Sequence, residues 1–307
     1  MRKPAETGRD GDGIPTMVIA RKSKRVLLGL IGFPIAHSAT PTTQEAAARA
    51  AGIEAHYHLI EVAGAGREDL AAMLDGIRRL GFSGINVTYP YKEAVVPLLD
   101  GLSEQAAAMG AVNTIVVDDG RLIGHNTDAS GFATAYRRLG RQDGDKPVAI
   151  IGAGGVGKAI AFALAGCGVT RLRLCDVDRS RAEVLARLLG TRCSVEIASS
   201  AEEAAEGAAG IVNGTPIGML PDRGIPIEPG AIQASQWVAD AVYHPLWTPL
   251  LKAAQKAGAT VMTGRELSIH QAVDAFRLFT GLEASEAVIG TAFDSVTAAG
   301  EMTGHAA

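Results

Sequence analysis

Residues 148–176 read VAIIGAGGVGKAIAFALAGCGVTRLRLCD, and the residue types in that run follow the order strand, tight turn, helix, strand, acid. Val148, Ala149, Ile150 and Ile151 form the short apolar run that a buried parallel strand needs. The run breaks at Gly152, Gly154, Gly155 and Gly157, and helix formers follow over 158–164. Glycine at Gly152, Gly154 and Gly157 lets the backbone turn, approach a pyrophosphate and pack helix on strand. The helix start adds unpaired N–H groups and partial positive charge. A glycine turn alone can serve only to pack a helix. Here a second strand over 171–175 leads into Asp176, where a carboxylate can accept hydrogen bonds from both ribose hydroxyls of an adenosine. The whole order therefore predicts a dinucleotide, with Gly155 and Val156 of the same turn also in contact. Because Asp176 repels an extra ribose phosphate, NAD is favoured over NADP, although Arg179 or Arg181 could still receive that phosphate.

The bulk properties agree with this frame. At 307 residues the chain can bury two ordinary cores, so two domains are expected. It is 47% hydrophobic and 20% charged, values of a soluble α/β protein. A formal net charge of −4 argues against a nucleic-acid partner, which needs a basic face. Cys167, Cys175 and Cys193 are odd in number and lack metal-ligand spacing, which reads as buried thiols in a reducing cytoplasm. Residues 1–24 are polar and lack the apolar region of a secretory signal, so a disordered tail is expected. No run has the apolar length of a membrane span.

Structure is expected to begin with the apolar strand RVLLGLIG over 25–32, which empties into a Pro-bounded loop carrying Ser38 and Thr40 before a helix over 42–51. α/β folds place ligands at such loops, so the two hydroxyls are substrate candidates; they are equally suited to capping the helix. A strand over 55–62, an amphipathic helix over 66–80 and a strand over 84–87 lead to Asn86, Thr88 and Lys92. Lys92 is expected at a helix start, where a cation opposes the helix dipole. A helix over 103–109 and a hairpin containing Asn113 precede Asp128, which is placed just before a helix over 130–139 and could cap it. The three polar loops follow strands of one unit, so they can converge on one sheet edge.

After Asp176 the alternation continues with a helix over 180–189, strands near Val195 and over 210–213, and a helix over 201–206. A small-residue loop containing Thr215 suits contact with a nicotinamide. The next strand over 237–242 ends at Val242 and Tyr243, a helix spans 249–257, and the last strand is 260–262. Beyond Gly264, helical spacing over 268–279 predicts a helix that crosses back to the first domain and brings Gln271 to the substrate. Residues 297–307 are expected to fray.

Six segments, IAHSATP, INVTYPYK, GAVNTIV, GHNTDASGF, GAGGVGKA and HQAVDAF, occur in the order seen in the shikimate dehydrogenase family, and the chain resembles that family from about Arg25 to Phe279. The resemblance implies an N-terminal α/β substrate domain (25–129, completed by 266–296), a doubly wound Rossmann domain that binds NAD (130–265), and a C-terminal helix returning to the first. It implies catalysis by Lys92 and Asp128, with hydride moving between a ring carbon and C4 of nicotinamide. A neighbouring carboxylate favours a charged amine whereas a general base must shed its proton, so exclusion of water has to oppose Asp128. The resemblance further assigns the substrate carboxylate to Ser38 and Thr40 and ring hydroxyls to Asn86, Thr88, Asn113 and Gln271. Tyr243 is placed beside substrate and nicotinamide, and Arg181, Thr215, Val242 and Gly264 beside the cofactor.

Thr40, where many members have Ser, resembles the NAD-preferring quinate/shikimate branch, as does Asp176. Glu266 replaces a glycine common in the family. The expected substrate is a small carbocyclic acid, acted on in the cytoplasm by a monomer or homodimer with no metal, nucleic-acid or membrane partner. The rivals are an NADP-linked biosynthetic enzyme, one acting on an amino-substituted analogue, a folate-linked dehydrogenase and a non-catalytic ligand sensor.

Overall fold

The computed structural model describes residues 25–141 and 143–303, so the expected tail over 1–24 lies outside the described residues. The first unit contains β1 (Arg25–Gly32), α1 (Thr40–Ala50), β2 (Glu54–Glu61), α2 (Arg67–Arg79), β3 (Gly84–Val87), β4 (Gly101–Leu102), α3 (Glu104–Met109), β5 (Thr114–Asp118) and β6 (Arg121–His125). Its sheet runs β2-β1-β3-β5-β6-β4. β5 alone runs against its neighbours, pairing antiparallel with β3 and β6. The ends of β1, β3 and β6 therefore share one edge with the start of β5. Topology thus brings the loops holding Ser38, Thr88 and Asn113 together with the chain that follows β6, which carries Asp128.

The chain then passes through α4 (Thr127–Arg138) into β7 (Val148–Ile151), α5 (Gly155–Gly166), β8 (Arg171–Cys175), α6 (Arg179–Leu189), β9 (Ser194–Ile197), α7 (Ala201–Ala205), β10 (Gly210–Asn213), β11 (Trp237–Asp240), α8 (Pro249–Lys256) and β12 (Thr260–Met262). All strands of this second sheet are parallel, in the order β12-β11-β10-β7-β8-β9. Read from β9, that is the doubly wound order with its switch point between β7 and β10, where such sheets bind dinucleotides. The four residues of β7 are buried, as their continuous apolar run requires.

α9 (Gly264–Thr280) leaves the second sheet and packs on α4, while its Ala275 and Phe279 join the core of the first sheet. The approach of α4 to α9 is close at Gly131, where a Cβ would lie 2.7 Å from the Gln271 backbone nitrogen. α10 (Glu286–Thr303) follows. Residues from 297 onward were expected to fray, yet the helix continues to Thr303. Ile289, Phe293 and Thr297, spaced four apart, are buried, and the first two pack with Ala47, Ala48 and Phe276. That packing holds the stripe helical although the sequence around it is small and polar.

Two further expectations are corrected. No α-helix starts at Lys92: residues 92–95 form turns and Val96–Leu98 a single 3-10 turn, so the helix-dipole argument for Lys92 lapses. Pro97 has no N–H to extend a helix there. Asp128 does not precede its helix but is the second residue of α4; the cap is Asn126, whose side chain accepts the Ala129 N–H. No described helix is long and apolar enough to cross a membrane. Burial pushes the half-buried thiols of Cys167, Cys175 and Cys193 up from their ordinary range.

Candidate active site

The shared edge of the first sheet carries a connected set of polar side chains. Lys92 Nζ donates to Asp128 Oδ2 at 2.6 Å, and the two side chains are 15% and 7% exposed. Asp128 Oδ1 accepts from Asn113 Nδ2 at 2.9 Å. The carboxylate is thus held from both sides, in the first turn of α4 where free N–H groups favour negative charge. Lys92 uses one of three donors on Asp128, leaving capacity for a ligand hydroxyl.

Asn113 and Asn86 are largely consumed by the protein. Asn113 Nδ2 also donates to Thr127 Oγ1 at 3.0 Å, and its Oδ1 accepts the Thr127 N–H at 2.7 Å and the Thr114 hydroxyl at 2.9 Å. Asn86 Nδ2 donates to the Asn113 carbonyl at 3.1 Å and to Thr114 Oγ1 at 3.0 Å. Its Oδ1 accepts from Tyr57 OH at 2.8 Å. A planar amide with all its protons used has a fixed orientation, so both asparagines act first as braces. Thr127 Oγ1 extends the network to Gln271 Oε1 at 3.4 Å, which joins α9 to the site.

Tyr57 was not among the expected residues. It is buried on β2, and burial pushes its phenol well above the ordinary range. The signal was present in EAHYHLIE, because an inward-facing tyrosine needs a partner for its hydroxyl.

At the mouth of the first strand, Ser38 Oγ donates to Thr40 Oγ1 at 3.0 Å and accepts the Thr40 N–H at 3.3 Å. The helix cap itself is Ala39, which has no capping side chain, so the hydroxyl pair is not spent on a standard cap. Thr88 lies against Gly32, where a Cβ would come within 2.2 Å of its methyl. Tyr243 reaches this corner from the second unit. Burial raises its phenol, a hydrogen bond with Ser38 opposes the rise, and the Asp128 charge adds to it. Its ring packs edge-on against Phe293 of α10 at 5.6 Å.

The glycine turn is built by exclusion of side chains. A Cβ on Gly157 would stand 1.9 Å from the Gly152 carbonyl oxygen. Gly152 has φ +96°, and its Cβ would meet the Thr215 methyl at 2.7 Å. Gly154 differs, because nothing lies within 4 Å of its Cβ position. The backbone there is open to a large group. Lys158 N–H makes the first helical bond, to the Gly154 carbonyl at 2.8 Å, so the N–H groups of Gly155, Val156 and Gly157 have no helical acceptor. A pyrophosphate fits this cradle. Asp176 is tied to it: Oδ2 accepts the Ala153 N–H at 2.6 Å and Oδ1 the Asp178 N–H at 2.9 Å, leaving lone pairs on both oxygens.

Across the switch point, Thr215 Oγ1 donates to Asn213 Oδ1 at 2.7 Å. Asp240 collects Asn213 Nδ2 at 2.9 Å, the Val242 N–H at 2.9 Å and Thr248 Oγ1 at 2.7 Å. Burial pushes this carboxyl up to about 6, against those hydrogen bonds. Gly264 permits contact with Val242, whose carbonyl would be 2.5 Å from a Cβ. Glu266 accepts at 2.8 Å from Thr263 Oγ1, the side chain that caps α9, so the acid braces that cap. Arg181 is exposed and approaches Asp178 at 3.9 Å. Among the described residues no group of three His, Cys, Asp or Glu side chains could hold a metal.

The two constellations touch. A Cβ on Gly155 would meet Lys92 Cδ at 3.3 Å, so the lysine lies along the first turn of α5. The shikimate dehydrogenase substrate binding domain family matches residues 30–115, and the family of NADP oxidoreductases, coenzyme F420-dependent, matches 147–223. The chain is 45% identical over 267 residues to a quinate/shikimate dehydrogenase (NAD(+)) of Corynebacterium efficiens, covering 84% of this chain and 94% of that protein. This chain belongs to the shikimate dehydrogenase family. It is also 41% identical over 265 residues to a shikimate dehydrogenase (NADP(+)) of Streptomyces avermitilis, covering 84% and 91%. Among solved structures, quinate dehydrogenase from Corynebacterium glutamicum in complex with NAD matches with a TM-score of 0.81 at 42% identity, covering 88% of this chain and 99% of that one.

Proposed function

We propose that this protein is an NAD-dependent quinate/shikimate dehydrogenase, oxidising a ring hydroxyl to give 3-dehydroquinate or 3-dehydroshikimate, reversibly. The observation that carries the reading is the Lys92–Asp128 pair lying along the first turn of the glycine-loop helix. That position puts a proton acceptor where the polar cluster of the first sheet meets the glycine turn that would receive the cofactor. NAD, when bound, supplies at C4 of its nicotinamide the acceptor for the hydride. Lys92 takes the hydroxyl proton as the hydride leaves, and returns it in the reverse direction. Asp128, fixed by Asn113, holds the amine in line and balances its charge.

Ser38 and Thr40 receive the substrate carboxylate, with Tyr243 closing over it. Thr88 and Gln271 meet ring hydroxyls, Asn86 contributes through the lone pair left on its Oδ1, and Asn113 acts on the substrate through Asp128 and Thr127, which it holds. Gly152, Gly154, Gly155, Val156 and Gly157 receive the pyrophosphate, Asp176 the adenosine ribose, and Thr215, Val242 and Gly264 the nicotinamide side. The Asp176 carboxylate disfavours an added ribose phosphate, which supports NAD over NADP. In this reading residues 25–129 and 266–296 hold substrate and 130–265 hold NAD. The protein works in the cytoplasm in quinate breakdown, as a monomer or homodimer.

The test is formation of NADH from NAD with quinate or shikimate. Lys92→Met is expected to lower kcat by about 10²- to 10⁴-fold with the dissociation constant for NAD little changed. Full turnover in Lys92→Met would remove the catalytic assignment.

A further inference from the structure

Lys158 is 7% exposed in a helix whose neighbours over 157–164 are also buried. Its Nζ meets Glu93 Oε1 at 2.8 Å, and that glutamate is the residue after Lys92. Packing alone does not call for a cation here. A buried charge is costly and an apolar side chain of similar volume would serve the helix as well. A lysine near a helix start also works against the dipole.

Two contacts of consecutive residues fall on one helix face. Lys92 lies over Gly155 and Glu93 binds Lys158, and positions three apart are neighbours on a helix surface. The Lys92 carbonyl is meanwhile held by the Val112 N–H at 2.8 Å. The backbone of the turn is thus fixed by the first unit and its side chains rest on the second.

We propose that Glu93 and Lys158 are positioning residues: their ion pair pins the Lys92 turn to the glycine-loop helix, and Glu93 screens Lys92 from the Lys158 charge. This rests on the reading of Lys92 as the proton acceptor. The Asp128 carboxylate, bonded to Lys92 Nζ at 2.6 Å, favours the charged amine equally in every variant; against that constant background an unscreened Lys158 ammonium favours proton release from Lys92, whereas an unpaired Glu93 carboxylate opposes it. The two single variants therefore act in opposite directions.

The experiment is the pH dependence of kcat for quinate oxidation with NAD in the wild type, Glu93→Gln, Lys158→Gln and the double variant. The limb along which the rate rises with pH is expected to move by about one pH unit to lower pH in Glu93→Gln and by a similar amount to higher pH in Lys158→Gln. The double variant is expected to return near the wild type. Limbs that stay in place, or move the same way in both single variants, overturn the proposal. So does a Lys158→Gln enzyme whose main defect is a raised KM for NAD, which would make the lysine a phosphate contact. Should Glu93→Gln fail to fold because it strands a buried cation, the upward shift in Lys158→Gln and its reversal in the double variant decide the point. Lys92→Met separates the two claims: if it keeps turnover, the role of Lys92 itself falls, whereas unmoved limbs with an inactive Lys92→Met sink the ion-pair role alone.

Discussion

The two halves of the site are made of different material. The half on the second sheet is backbone shaped by missing side chains, with Gly152 and Gly157 leaving no room for a Cβ. The half on the first sheet is side chains locked to one another, with Asn113 bonded to Thr114, Thr127 and Asp128. A backbone site fails when atoms are added, and a side-chain site fails when they are removed.

The largest effect is expected from adding one carbon to the backbone half. Gly157→Ala should destabilise the protein by about 3 kcal/mol, because its Cβ is aimed at the Gly152 carbonyl and neither backbone can yield cheaply. Gly154→Ala meets open space and should change stability by less than about 0.5 kcal/mol, while weakening NAD binding where the phosphate approaches. Thermal melts with and without NAD separate the two. Equal destabilisation would mean that the turn is not built by exclusion.

In the side-chain half, Asn113→Ala should cost about 2 kcal/mol, from buried partners left without bonds. It should also lower kcat by about 10²-fold, because Asp128 loses one of its two restraints. Denaturant unfolding and steady-state rates check both, and an unchanged kcat would show that Lys92 alone orients Asp128.

The contrast sharpens at Asp240, a side chain beneath the backbone half. Its folded value, about 6, lies above the ordinary 3.8, so the folded state holds the proton more tightly than the unfolded one. The resulting stability is present below pH ~4 and is lost as pH rises through ~6. Relative to Asp240→Asn, the wild type should therefore lose on the order of 2 kcal/mol between those limits. A stability difference flat across that range would contradict the burial account.

The same contrast explains what was legible in the sequence. Glycines and the apolar run of β7 mark the backbone half directly, because their spacing is local. The side-chain half was legible as a roster of polar residues at strand ends. What remained hidden were the partnerships: Asn86 turned onto Tyr57, and Asn113 turned onto Thr127 and Asp128. Those depend on contacts between strands far apart in the chain. α10 was missed for the same reason, since Ile289 and Phe293 become a helical stripe only against α1 and α9. The helix expected after Lys92 failed locally, because the chain reaches Pro97 only five residues on.

The most direct test of the central claim is a matrix of initial rates for quinate and shikimate with NAD and NADP, giving kcat/KM for each pair. The account predicts turnover of both acids, with NAD preferred by about tenfold or more, as the Asp176 carboxylate disfavours an added phosphate. Turnover of shikimate with NADP alone would contradict it.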